Sequence, residues 1–215
     1  MNAALRLQGV RLAVGGRTLI GTLSATVQPG ACLTLMGPSG CGKSSLLAFM
    51  AGTLDPAFDA QGRVSVGETD LTTLPPESRR VGILFQDDLL FPHLSVAGNL
   101  AFALPASVRP AAERNARIEQ ALSDAGLAGF GPRDPATLSG GQRARVALLR
   151  TLMAQPRALL LDEPFSKLDA QLRDDVRRFV FEHARDSALP TVLVTHDEAD
   201  AAAAGGELIR MEPSR

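Results

Sequence analysis

The chain has 215 residues, 45% of them hydrophobic and 21% charged, which excludes intrinsic disorder and allows a core that needs no disulfides or structural metal. A net charge of −1 argues against a general nucleic-acid binder, and only two cysteines, Cys32 and Cys41, argue against a disulfide framework. No basic stretch followed by an apolar run opens the sequence, so no secretory signal is expected and the cytoplasm is the default location. The uncharged runs Thr18–Gly42 and Leu89–Val108 are long enough to raise a membrane span. Pro29, Gly30, Gly37, Pro38, Gly40 and Gly42 interrupt the first, and Pro92, His93, Asn99 and Pro105 the second, so neither is expected to cross a bilayer. Of 22 basic residues only Lys43 and Lys167 are lysine, so each calls for a reason not to be arginine.

In chain order, Leu5–Val14 and Thr18–Val27 read as strands joined by Gly15-Gly16. Ala31–Met36 reads as a buried strand that ends in a glycine-rich loop, with a helix over Lys43–Ala51. Arg63–Val66 and Val81–Phe85 are further strands. Ser95–Leu104, Ala111–Ala125 and Gly141–Ala154 read as helices, with Ser95 and Pro110 as start residues and Gly126 as a stop. Strands return at Ala158–Leu161 and Thr191–Val194, with a helix over Asp169–Ala184 between them. The simplest architecture is an α/β core with a helical insertion.

Gly37-Pro38-Ser39-Gly40-Cys41-Gly42-Lys43-Ser44 fits G-x-x-x-x-G-K-[ST] between a strand and a helix. Glycines let such a loop wrap closely with its N–H groups aimed at phosphate, and the helix N-terminus adds a favourable dipole. Lys43 would stand between the β- and γ-phosphates as a compact charge that a planar guanidinium does not replace, which accounts for the first lysine. Ser44 is the expected Mg2+ ligand and Ser45 an α-phosphate donor. The plain alternative is a glycine-rich turn without ligand. Leu159-Leu160-Leu161-Asp162-Glu163 is an apolar strand ending in two carboxylates, at the end where open α/β sheets hold ligands. Asp162 is expected to reach Mg2+, and Glu163 to take a proton from an attacking water or polarise it. A solvated strand end is the bland alternative. Leu138-Ser139-Gly140-Gly141-Gln142 puts a serine and two glycines at a helix start. Spacing leaves open whether this is an anion site or a simple N-cap by Ser139.

Together these segments resemble the ATP-binding subunit of ABC transporters, over essentially the whole chain. Ser39–Ser44 match the Walker A loop, Gln86 the Q-loop glutamine and Leu138–Gln142 the LSGGQ signature. Ala158–Glu163 match Walker B, Ser166–Asp169 the D-loop and His196 the switch histidine, all in the family's order. The resemblance implies a fold of α/β class: a P-loop NTPase core with a mixed sheet, N-terminal antiparallel strands and an inserted α-helical subdomain. The core would take residues 1–86 and 151–215, and the insertion about 87–150. It implies ATP with Mg2+, sandwiched between two copies of the chain. Gly37, Ser39, Gly40, Cys41, Gly42, Lys43, Ser44 and Ser45 would hold the nucleotide of one copy, and the partner's signature, Ser139, Gly140, Gly141 and Gln142, would meet its γ-phosphate. Gln86 would touch Mg2+ and the attacking water, His196 would hold the γ-phosphate and position Glu163, and Asp169 would run along the dimer seam. A strand-end histidine bonded to backbone is the bland alternative for His196, and His93 and His183 are left in that class.

Leu89–Val96 resembles the stretch after the Q-loop in bacterial binding-protein-dependent importers, where it forms part of a groove for a membrane subunit's coupling helix. Phe91 or Leu94 is therefore expected to be exposed until the partner docks, internal packing being the alternative. The implied protein is a peripheral ATPase on the cytoplasmic face of the bacterial inner membrane. It would power solute import with separate permease subunits and, indirectly, a solute-binding protein, without a nucleic-acid partner. An exporter or lipoprotein-releasing ATPase shares the catalytic motifs. A soluble ABC ATPase is disfavoured by the single short cassette.

Three features depart from the family pattern. Where an adenine-stacking aromatic is usual, the sequence reads Val14-Gly15-Gly16, and Trp and Tyr are absent altogether. A weakened preference for ATP over GTP is expected, since base stacking contributes ~1–3 kcal/mol. Cys41 lies inside the phosphate loop, where the backbone does the binding, and ATP is expected to protect it from alkylation. The sequence runs only 19 residues past His196, so the extra C-terminal domain of many importer ATPases is not expected.

Overall fold

The computed structural model describes residues 3–212. They divide into two compact units. The first runs to Ile83 and adds Arg157–Glu163 and the chain from His183 onward; the second comprises Leu84–Pro156 and Pro164–Glu182. The second unit is thus larger than residues 87–150.

The elements are β1 (Leu5–Val14), β2 (Arg17–Val27), β3 (Cys32–Met36), α1 (Lys43–Ala51), β4 (Phe58–Val66), β5 (Thr69–Asp70), α2 (Pro76–Arg79) and β6 (Val81–Leu84). There follow α3 (Val96–Ala103), α4 (Ala111–Asp124), α5 (Gly140–Met153), β7 (Ala158–Asp162), α6 (Ala170–Asp186), β8 (Thr191–Thr195), α7 (Glu198–Ala204) and β9 (Glu207–Arg210). No helix among the described residues is long and apolar enough to cross a membrane.

Antiparallel and parallel strands sit in two sheets. One is antiparallel in the order β2-β1-β4-β5; the other runs β6-β7-β8-β3-β9, with parallel ladders between β7, β8, β3 and β9. The β1–β2 hairpin closes through Gly15-Gly16, both at positive φ (56° and 77°), the geometry that matches strand twist in a two-residue turn. β3 is buried at all five positions, as its apolar run requires, and lies between β8 and β9. Leu5, Leu7, Leu12 and Val64 of the first sheet, Leu46 and Met50 of α1, and Leu33, Leu35, Leu160 and Val194 of the second sheet share one core.

Arg79 anchors α1 from behind. Its buried guanidinium donates to Phe49 O (2.7 Å) and Met50 O (3.1 Å), the carbonyls at the helix's C-terminal end, and to Leu74 O (2.9 Å). A cation there satisfies orphan carbonyls and complements the helix dipole.

The second unit packs α3, α4 and α5 around Val96, Leu100, Ile118, Leu122, Val146 and Leu149. Ser95 caps α3, accepting from Gly98 N at 3.1 Å, and Gly126 ends α4 at φ 69°. Asn99 is fully buried and satisfied: it accepts from Phe91 N (2.8 Å) and donates to the carbonyls of Phe91, Leu94 and Ser95. This amide fixes the turn that follows Gln86.

Candidate functional site

β3 delivers the chain into the glycine-rich loop, and α1 starts at Lys43. Gly42 is its N-cap, at φ 93° and without a side-chain capping bond, and no acidic residue stands in the first turn. The helix therefore presents its N-terminal donors and dipole without a competing carboxylate. Lys43 is only 6% exposed. Its ammonium donates to Gly37 O (2.7 Å) and Pro38 O (2.9 Å) and lies 3.8 Å from Cys41 Sγ. A buried ammonium needs such acceptors, and the loop's own carbonyls supply them. Gly37 is required by close approach: a Cβ there would lie 2.5 Å from Met211 O, while Met211 N donates to Met36 O at 2.6 Å. Cys41 is 2% exposed, so an alkylating reagent meets its thiol only when the loop opens.

β7 carries the carboxylates. Ser44 Oγ donates to Asp162 Oδ1 at 3.1 Å, which joins the helix start to the strand end. Burial pushes the Asp162 carboxyl above its ordinary value of 3.8; the Ser44 hydrogen bond opposes this, the neighbouring Glu163 charge adds to it, and Lys43 opposes it. Glu163 adopts a left-handed conformation, φ 47°, while its N–H donates to Val194 O at 2.9 Å. A non-glycine residue in that region stores strain, which the flanking ladder holds. The turn turns the carboxylate toward β8's end, where His196 Nδ1 lies 3.3 Å from Glu163 Oε2. Thr195 Oγ1 donates to the buried Asp200 at 2.8 Å and accepts from Asp197 N at 3.1 Å, so the turn carrying His196 is braced from both sides.

A cavity of about 320 Å³ gathers Ser39, Gly40, Gly42, Lys43, Ser44, Ser45 and Glu163, together with Leu19 of β2. Val14, half-buried at the end of β1, is not in this lining. Leu19 carries no signal in the sequence; β2 brings it over Gly42, whose Cβ would sit 3.2 Å from Leu19 Cβ and 3.1 Å from Ile20 Cγ1. Among the described residues no cluster of three or more His, Cys, Asp or Glu could hold a metal by itself. The Ser44–Asp162 pair offers two hard oxygens, a partial set of the kind Mg2+ accepts when phosphates and water complete its shell.

The remaining expected residues belong to the second unit. Ser139 is the N-cap of α5 in a capping box: its Oγ accepts from Gln142 N (3.3 Å), and Gln142 Oε1 accepts from Ser139 N (2.9 Å). Gly141 is packed so tightly that a Cβ would lie 2.5 Å from Leu172 Cδ1. Asp169 stands before α6 and accepts from Leu172 N at 3.0 Å. Gln86 is exposed and shares a cleft of about 230 Å³ with Asp87, Asp88, Gly140, Arg143 and Lys167. Phe91 and Leu94 are half-buried rather than exposed, because the Phe91 ring packs edge-on against Phe102, 4.8 Å between centroids, and Asn99 holds its backbone. Among the described residues, the large hydrophobic side chains of this unit that are exposed are Phe85, Leu89 and Phe102, the last 70% exposed.

The profile of the ABC transporter family matches residues 20–166. The chain is 52% identical over 196 residues to an uncharacterized ABC transporter ATP-binding protein, YnjD, of Escherichia coli K12, covering 91% of this chain and 90% of that protein. It is 44% identical over 205 residues to the Fe(3+) ions import ATP-binding protein FbpC of Agrobacterium fabrum, covering 95% of this chain and 57% of the relative. The Fe(3+) ions import ATP-binding protein FbpC 1 of Rhizobium meliloti is 43% identical over 198 residues, 92% of this chain and 55% of its own. The chain thus spans most of the first relative and a little over half the length of the other two. With this family match and this breadth of identity, the chain belongs to the ABC transporter family, as an ATP-binding, ATP-hydrolysing member.

Proposed function

We propose that this chain supplies the energy for solute import across a bacterial inner membrane, docked peripherally on separate permease subunits that receive solute from a binding protein. The convergence of Lys43, Ser44 and Glu163 on one cavity carries the catalytic part of this reading. The import names of the two FbpC relatives support the transport part, as do the exposed Phe85, Leu89 and Phe102.

ATP would bind with its phosphates on the N–H groups of residues 39–45. Lys43 has three donors, two of which are taken by the strong acceptors Gly37 O and Pro38 O. A phosphate oxygen would take the place of the weakly accepting Cys41 sulfur. Ser44 and Asp162 would hold Mg2+, which would supply positive charge to offset that of the phosphates. Glu163 would orient the attacking water and take its proton, and His196, in contact with Glu163, would keep that carboxylate aimed. Gln86 would sense the same water. Ser139, Gly140, Gly141 and Gln142 would complete the site on a second copy of the chain, with Asp169 along the seam between them.

Light scattering on the Glu163→Gln variant, with and without ATP and Mg2+, tests this. A nucleotide-dependent shift from monomer to dimer is expected, together with turnover reduced about 10²- to 10⁴-fold. A variant that binds no ATP overturns the site, and one that binds ATP and stays monomeric overturns the self-assembled sandwich.

A further inference from the structure

Lys167, the second lysine, has no part in the function proposed above. It is half-exposed and pairs with Asp87, the residue after Gln86. The next residue, Asp88, pairs through Oδ2 with Arg143 Nε at 3.2 Å, and Arg143 also donates to Leu138 O at 2.8 Å. Two adjacent carboxylates thus reach two cations on different elements: one on the loop before Asp169, the other in the first turn of α5. Arg150, further along α5, adds bonds to the carbonyls of Leu89 (2.7 Å) and Asp88 (3.2 Å). Leu89 stands at φ 47°, a conformation that a leucine keeps only when its surroundings hold it. All these groups lie within the second unit, and four of them meet in the cleft that also takes in Gln86 and Gly140.

We propose that Asp87 and Asp88 are positioning residues that clamp the Gln86 segment, through Lys167 and Arg143, to the loop before Asp169 and to the start of α5, so that these three pieces shift as one. The proposal rests on the reading of Gln86 given above. The Asp87–Lys167 pair is exposed on both sides, 66% and 54%, so it is screened by salt and opens easily. The half-buried Asp88–Arg143 pair is the firmer of the two. A lysine suits the outer position: its flexible stem lets a point charge follow Asp87, where a guanidinium would favour one fixed planar geometry.

Charge reversal and exchange test the clamp: Asp87→Lys, Lys167→Asp and the double exchange, in the full chain. Hydrogen exchange of residues 85–90 reads the clamp directly, and kcat and KM for ATP read its consequence. Each single reversal is expected to speed exchange in that segment and lower kcat about two- to fivefold at unchanged KM, the scale of an exposed ion pair. The double exchange should restore both. Unchanged exchange in the single reversals, or a double exchange that fails to restore it, overturns the proposal. So does faster exchange with normal turnover in an enzyme whose turnover does respond to Gln86→Ala. If Gln86→Ala leaves turnover untouched, the reading of Gln86 falls, while the exchange data still judge the clamp.

Discussion

Two helices in this chain begin on glycine-rich sequence, and they begin in opposite ways. α1 starts behind Gly42, whose positive φ and lack of a side-chain cap leave the first turn open to an anion. α5 starts behind Ser139, which closes a reciprocal box with Gln142. The first start is unfinished in the chain by itself and contains a buried cation. The second is already satisfied, so any phosphate it meets has to compete with, or add to, a formed cap. Glycine content before a helix therefore does not mark a phosphate site. What separates the two is whether the capping position has a side chain that reaches back.

That difference can be attacked directly. Gly42→Ser would place a side chain at φ 93°, hard against Leu19 and Ile20. Strain of about 1–3 kcal/mol is expected, along with a loss of ATP affinity beyond about tenfold, measured by nucleotide titration and thermal unfolding. Ser139→Ala should cost about 1 kcal/mol of stability from the lost cap. It should leave ATP affinity of the isolated subunit unchanged while lowering turnover; an affinity loss in the monomer would erase the contrast. The smallest effect belongs to Asp162. Its raised carboxyl pKa means that the fold binds this proton more tightly than the unfolded chain does. Stability attached to it therefore falls as pH rises from about 3.8 through the higher folded value, and stays reduced above it. Asp162→Asn should raise the unfolding temperature slightly at pH 7 and lose that advantage near pH 4, and, with Mg2+ held as proposed, adding Mg2+ to ATP should no longer raise it further.

The hairpin, β3, the glycine-rich loop ahead of α1 and the place of Asp162-Glu163 at the end of β7 were legible in the sequence because their signals are local: turn glycines, an apolar run, a spaced motif. What stayed hidden depends on distant partners. β4 begins five residues earlier than its apolar pattern, at Phe58, because residues 58–61 are held by pairing with β1 rather than by burial. β9 is mostly exposed and follows an alanine-rich helix, so nothing in Glu207–Arg210 announces that it will lie beside β3. Leu19 enters the candidate site only because β2 passes over Gly42. The left-handed turn at Glu163 likewise has no signature in a residue type that rarely adopts it.

Gly141 sits where any side chain would collide with Leu172. If Gly141 meets nucleotide as proposed, a mutational screen that scores this glycine by lost activity records two injuries under one phenotype, a damaged anion contact and a wedge between α5 and α6. Only the second is open to a compensating deletion at Leu172. The position is doubly constrained, and its intolerance to change, taken by itself, is no measure of how much it contributes to gripping nucleotide.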